Sequence, residues 1–522
     1  MLNNSYEDFQ YDSCISRGIC SINPRNSALQ TILVLYLRLF AKFLLKFVEK
    51  TEIDAELKAF VLNISAVSIF NMEFNDKSYL NVIKQLKEKL LEVVDEFLKY
   101  YPDENIEKDK ALKFFNETSD ILSAIKYGEK YLKSRLEASD YKIRDLYNII
   151  LVIIKSLSIN SMELESYGID CEKGFITVLK LFEKINIRES HIENLKNEII
   201  KASKLSDEIL KKIREKQEKI YGEQIASEVS FSTVPNKAVL VVGSSIRELE
   251  NVIEHLKDYD IDIYTHDDMM LAHTFPKFKE YSRLKGQFGL GIENCLLDFA
   301  TFPGPIVLTK HSLHNIENLY RGRLFTTDCT YPKGVVKIID DDYTELIESA
   351  ETSRGFKTGK QCESIFVGYS FPEIKERISF KINSGNYKKI FIIGLDSYSL
   401  EQKAYFEKLV RLVSGDVLII SFSYAFEKDN FIHINACFDA YAINRVYDFV
   451  KGFEIPITIF IPKCDKNSLA QMVDFSQSGA NVFVGKCKPI ILNPSLMKTL
   501  EEEFSINQMT IVKKDLEKID DV

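Results

Sequence analysis

The sequence predicts a multidomain α and α/β protein, an N-terminal all-helical domain followed by two Rossmann-like α/β domains, and three observations lead there. From about Ser27 to Tyr221 apolar residues recur at spacings of three and four, Pro is scarce, and charged runs such as DEILKKIREKQEKIYGEQ separate the apolar faces. That is the period of stacked helices. At SEVSFSTVPNK (Ser227 to Lys237) the composition turns to Ser, Thr and Pro. The next stretch, KAVLVVGSSIRELENVIEHLKDYDIDIYTH, is a β-branched run, a Gly turn, an amphipathic helix and a second strand, a complete βαβ unit. The same grammar returns in KKIFIIGLDSYSLEQKAYFEKLVRLVSGDVLIISFS. With the joint between the two α/β domains inside Glu351 to Ser364, the expected domains are 1–228, 229–360 and 361–522.

The bulk properties agree with such a chain. Its 522 residues exceed what one core supports, and 45% hydrophobic with 28% charged residues is a globular composition. A net charge of -9 gives no basic footprint for neutralising phosphates, so no nucleic-acid partner is expected. The opening MLNNSYEDFQYDS lacks the basic and apolar regions of a signal peptide. Nine cysteines, an odd number, then argue for a reducing compartment, and the expected location is cytoplasmic. The apolar ALQTILVLYLRLFAKFLLKFVEK is interrupted by Arg38, Lys42 and Lys46, four apart on one helical face. It reads as a helix with one buried face, not a membrane span.

In doubly wound domains ligands gather where strands end, here at GSS, THDD, GLDS and SFSY. GSSIRE lacks the further glycines that let a pyrophosphate approach the backbone. Ser245 and Glu248, three apart, read instead as a capping box.

Three longer runs, YTHDDMMLAHTFPKFKEYSRLKGQFG, FATFPGPIVLTKHSL and YRGRLFTTDCTYPKGV, resemble the hybrid-cluster proteins, also called prismane or hydroxylamine reductase and related to the carbon monoxide dehydrogenases. The resemblance extends through GSSIRELE, FIIGLDS, NACFDAYA and VFVGKCKPIILNPSL, and CISRGICSINPRNSALQ resembles the family's cysteine-rich start. It implies a helical domain and two α/β domains, a cubane iron-sulfur cluster near the amino terminus, and a mixed iron-sulfur-oxygen cluster where the domains meet. It also implies an oxidoreductase that reduces hydroxylamine or nitric oxide.

Followed residue by residue, the resemblance implies a degenerate site. Of the four cysteines of the first cluster only Cys14 and Cys20 remain, and two thiolates leave half of a cubane's bonds unmade. At the mixed cluster a histidine position carries Ser244, a glutamate position Asp268, a cysteine position Ser312 and the persulfide cysteine position Asp396. A further cysteine position falls on Tyr424, or on Ser423 with a one-residue shift; Cys437 is kept, and the last glutamate matches Asp465. Hydroxyls replace thiolates poorly, because sulfur is soft and ionises near neutral pH.

The expectation is therefore a pseudoenzyme without an intact iron-sulfur cluster, catalytically silent or regulatory, as a homodimer or a heteromer with an intact paralogue. Two alternatives stay open. One is a remodelled site in which Asp268, Asp396 and Asp465, beside Cys437, Tyr424, Ser244 and Ser312, hold a mononuclear metal and act on a small nitrogen compound. The other is a 4Fe-4S cluster shared between chains by two copies of Cys14 and Cys20. His266, His273, His311 and His433 lie near the right segments to replace lost ligands, although the resemblance makes His266 and His273 scaffold residues. Cys464 is expected to be ordinary packing, and Cys171, Cys295, Cys329, Cys362 and Cys487 core or surface thiols.

Overall fold

A computed structural model describes residues 24–69, 76–102, 105–138, 140–185, 191–289, 295–312, 319–328, 331, 333–395, 400–436, 439–485 and 494–520. Two compact units divide the chain: Met1–Ile209 with Lys466–Gln477 and Lys486–Asn507, and Leu210–Asp465 with Ser478–Gly485 and Gln508–Val522.

The first unit is helical. Its helices are α1 (Pro24–Phe47), α2 (Ala55–Ser68), α3 (Asp76–Tyr100), α4 (Asn105–Glu117), α5 (Ile121–Ala138), α6 (Tyr141–Ser166), α7 (Glu172–Lys184) and the first part of α8 (Ile192–Tyr221), whose residues from Leu210 on belong to the second unit. By length and composition α1 could cross a membrane, yet 61% of its apolar window is buried. Leu29, Ile32, Leu33, Leu37 and Phe40 face the core, and the Tyr36 hydroxyl meets Thr118 Oγ1 at 2.9 Å. Close approach to α5 needs Gly128, where a Cβ would lie 2.3 Å from the Ala28 carbonyl.

Helix α6 starts at an N-cap, Asp140, whose carboxylate accepts from the Lys142 amide, and buries a polar row along one face. Asp145 accepts from Ser495 Oγ at 3.1 Å and Thr499 Oγ1 at 2.9 Å. Ser156 Oγ and Asn160 Nδ2 each donate to Asn467 Oδ1 at 2.9 Å. These partners belong to α16 (Pro494–Phe504) and to the residue ahead of α15 (Ser468–Gln477), so late segments of the chain complete the helical unit.

The second unit carries two six-stranded sheets. The first has the order β4-β3-β2-β5-β6-β7, built from β2 (Lys237–Val242), β3 (Ile261–His266), β4 (Leu284–Gln287), β5 (Ile306–Leu308), β6 (Leu324–Thr326) and β7 (Val336–Lys337), and all its pairings are parallel. The second has the order β11-β10-β9-β12-β13-β14, from β9 (Lys389–Ile393), β10 (Val417–Ser421), β11 (Phe431–His433), β12 (Ile457–Ile461), β13 (Asn481–Val484) and β14 (Ile506–Gln508). A two-stranded antiparallel ribbon joins β1 (Ser227–Ser230) to β8 (Ser364–Val367). Strands β2 and β9 read as near-continuous apolar runs because parallel strands are covered on both faces: Ala238 to Val242 and Ile390 to Ile393 are all buried. The helical region and the two Rossmann-like sheets are those the sequence predicts.

Candidate functional site

Strand order reverses at β2 and at β9, each of which has its successor on one side and a later strand on the other. Carboxyl-end loops on either side of such a strand open a crevice, and the residues matched to cluster ligands lie on these loops. In the first sheet Val242 is in register with both His266 and Leu308. Ser244 and Asp268 stand two residues beyond the first two, and Ser312 four beyond the third. In the second sheet Tyr424 follows β10 and Asp465 follows β12, the strands flanking β9. Asp396, Cys437, Cys14 and Cys20 lie outside the described residues.

Shared edges do not make a ligand set, because the side chains have found other partners. Thr309 Oγ1 donates to the Val242 carbonyl at 3.0 Å, which leaves the Ser312 hydroxyl, 3.3 Å away, as donor to Thr309. The turn is closed against Gly243, where a Cβ would stand 2.1 Å from Thr309 Oγ1 and 2.2 Å from Ser312 Oγ. Tyr424 lays its ring beside Phe406 and Phe426 on the apolar core of the second sheet. Ser423, the position reached by a one-residue shift, donates to the carbonyl of Gly394.

A buried acid fixes the same turn. Ser245 is the N-cap of α9 (Ile246–Leu256) but makes no side-chain capping bond, so the expected capping box is not formed. Glu248 instead accepts from the Lys310 amide at 3.0 Å and from Thr327 Oγ1 at 2.7 Å. Burial pushes its carboxyl above the usual range, against the pull of the nearby Lys310 ammonium. A capping box is a local motif, and here contacts 62 and 79 residues away in sequence win.

The histidines are each engaged separately. His266 Nε2 lies 3.0 Å from Asp298 Oδ2, and the His311 amide donates to both carboxylate oxygens of Asp328 at 3.1 Å. His273 Nε2 is 2.8 Å from Thr265 Oγ1, and enclosure of its ring pushes its pKa down to about 4, so at neutral pH the ring is uncharged. Burial also lowers His433. Among the described residues no three His, Cys, Asp or Glu side chains gather into a group able to hold a metal ion.

Cys171, Cys295 and Cys362 are free thiols, the first two buried, and burial pushes Cys171 up to about 12, which leaves it an unreactive thiol. Cys464, expected as ordinary packing, is disulfide-bonded. The oxygen groups at Ser312, Ser423 and Tyr424 therefore do not fit an iron-sulfur-oxygen cluster: they are poor iron ligands, and hydrogen bonds or apolar packing hold them to the scaffold.

Sequence reasoning missed the strongest electrostatic element nearby. Asp439, two residues past Cys437, is 1% exposed and takes both terminal nitrogens of Arg214 at 2.9 and 2.7 Å, with the Tyr369 hydroxyl at 3.2 Å. A pair 225 residues apart leaves no spacing signal. The burial of an aspartate within NACFDAYA was the available hint.

Comparison with known proteins finds relatives along nearly the whole chain. The chain is 22% identical to the hydroxylamine reductase of Thermodesulfovibrio yellowstonii over 533 residues, covering 97% of each chain. It is 23% identical to that of Gloeothece citriformis over 538 residues, again with 97% of each covered. Among solved structures, a chain from a structure of acetyl-CoA synthase/carbon monoxide dehydrogenase aligns over 96% of this chain and 82% of its own, with 11% identity and a TM-score of 0.47. The model of the Prismane/CO dehydrogenase family matches residues 10–517, nearly the whole length, and the chain belongs to that family, although among its described residues no group able to hold a metal ion is formed.

Proposed function

We propose that this protein is a catalytically silent member of its family, which has kept the hydroxylamine-reductase scaffold without the hybrid cluster and acts as a partner or regulator of an intact relative. The observation that carries this reading is the commitment of Ser312 to a hydrogen bond within its own turn, of Ser423 to the carbonyl of Gly394, and of Tyr424 to an apolar core. A fold survives on packing, whereas the reaction depends on a few ligands. The proposed assembly is a homodimer or a heteromer with that relative. The proposed compartment is the cytoplasm, on the free thiols of Cys171, Cys295 and Cys362 among the described residues.

Iron and acid-labile sulfide in protein purified without oxygen test the reading. Substoichiometric iron with no cluster absorbance is expected, together with no hydroxylamine reduction from a viologen donor above a free-iron background. Near-stoichiometric iron and sulfide with a cluster spectrum would overturn it. Dialysis of the same preparation against Mg, Mn or Fe(II) tests the remodelled site: metal retained by the parent and lost on Asp465→Asn would favour a mononuclear centre.

A further inference from the structure

A groove of about 350 Å³ lies in the α/β unit between the last turns of α8 and the helix α14 (Ala442–Val450), with Phe371, the first residue of α12 (Phe371–Ser384), in its wall. Its volume falls in the range of small-molecule sites. The charges that line it divide into two sets. Arg214 is committed to Asp439, while Arg445 pairs with Glu218 at 2.6 Å and stacks over the Phe371 ring at 4.2 Å. These four groups neutralise one another.

Lys211, Glu215 and Asp448 are different: among the described residues none makes a hydrogen bond or an ion pair within 4 Å. Lys211 and Glu215 lie one turn apart on α8, and Asp448 faces them from α14. Lys211, Glu215 and Asp448 are all solvent-exposed, so a ligand in the groove can reach each of them. In the lining, Arg214 is 5% exposed, and its Nε–H has no acceptor.

One ammonium and two carboxylates are thus left for a ligand, and a ligand that satisfies them carries one carboxylate and two cationic groups. We propose that this groove binds a free basic amino acid, with Lys211 taking the α-carboxylate and Glu215 and Asp448 the α-ammonium and the side-chain cation. The aromatic faces of Tyr441 and Phe449 suit the alkyl stem between the charges.

Isothermal titration calorimetry of the full chain with L-arginine, L-lysine, L-glutamate and putrescine tests this. Saturable one-site binding of arginine or lysine is expected, with glutamate and putrescine at least about tenfold weaker because each lacks part of the charge set. Lys211→Met and Asp448→Asn, both surface changes that leave the circular dichroism spectrum intact, are each expected to weaken binding about tenfold. Absence of saturable binding of either amino acid up to about 10 mM, an affinity too weak for specific recognition, would overturn the proposal. So would putrescine binding as tightly as lysine, or both variants binding like the parent.

Discussion

Gly243 has φ +122, a backbone conformation L side chains rarely adopt, and its missing Cβ is what lets the turn carrying Ser312 close. Gly243→Ala is expected to destabilise the protein by about 2 to 4 kcal/mol in urea unfolding, from strain and clash together. Gly415→Ala, at a site with nothing within 4 Å, should stay within about 0.5 kcal/mol of the parent. Titration acts at the same scale with opposite signs. His273 is held down to about 4, so its contribution is full above the ordinary 6.5 and is lost as pH falls through about 4. Glu248 is held above 4.5, so its contribution is full below that value and is lost as pH rises through its folded pKa. Melting temperature followed from pH 4 to 7 should therefore fall less steeply on acidification in His273→Gln than in the parent, and Glu248→Gln should remove a loss at the neutral end. That Ser312 and Tyr424 stand on loops after parallel strands was legible in the sequence, because the pattern of apolar run and turn is local. Where their side chains turned was not, since Ser312 and Tyr424 chose partners that no local spacing encodes.

Helices and strands carry the next level. The row on α6 spaces Asp145, Ser156 and Asn160 along one face and gives each a partner from a late segment of the chain. Asn467→Ala removes the acceptor of two buried donors and is expected to cost about 2 to 4 kcal/mol, read by chemical denaturation. Asp439→Ala leaves the Arg214 guanidinium buried without its counter-ion, and a loss of about 3 to 5 kcal/mol is expected. Element types were plain from period alone: the helical spacing up to Tyr221 and the two βαβ units appear where the sequence put them. Which core α15 and α16 serve was not plain, because an amphipathic helix looks the same whichever unit buries its apolar face.

At the scale of the molecule, assembly is the open property. Cys14 and Cys20 offer two thiolates per chain, and a shared cluster would need both copies. For a silent protein, the double variant Cys14→Ser, Cys20→Ser is expected to elute from a sizing column as the parent does and to carry no less iron. Loss of a dimer together with iron would establish a bridging cluster instead. The polar row on α6 also has a bearing on how the protein is made. Its acceptors and donors lie between Asn467 and Thr499, so a ribosome has to translate most of the chain before the first helices can close their buried polar bonds. The amino-terminal unit is first in synthesis and among the last to be finished, and until then it exposes apolar helix faces on which a chaperone can act.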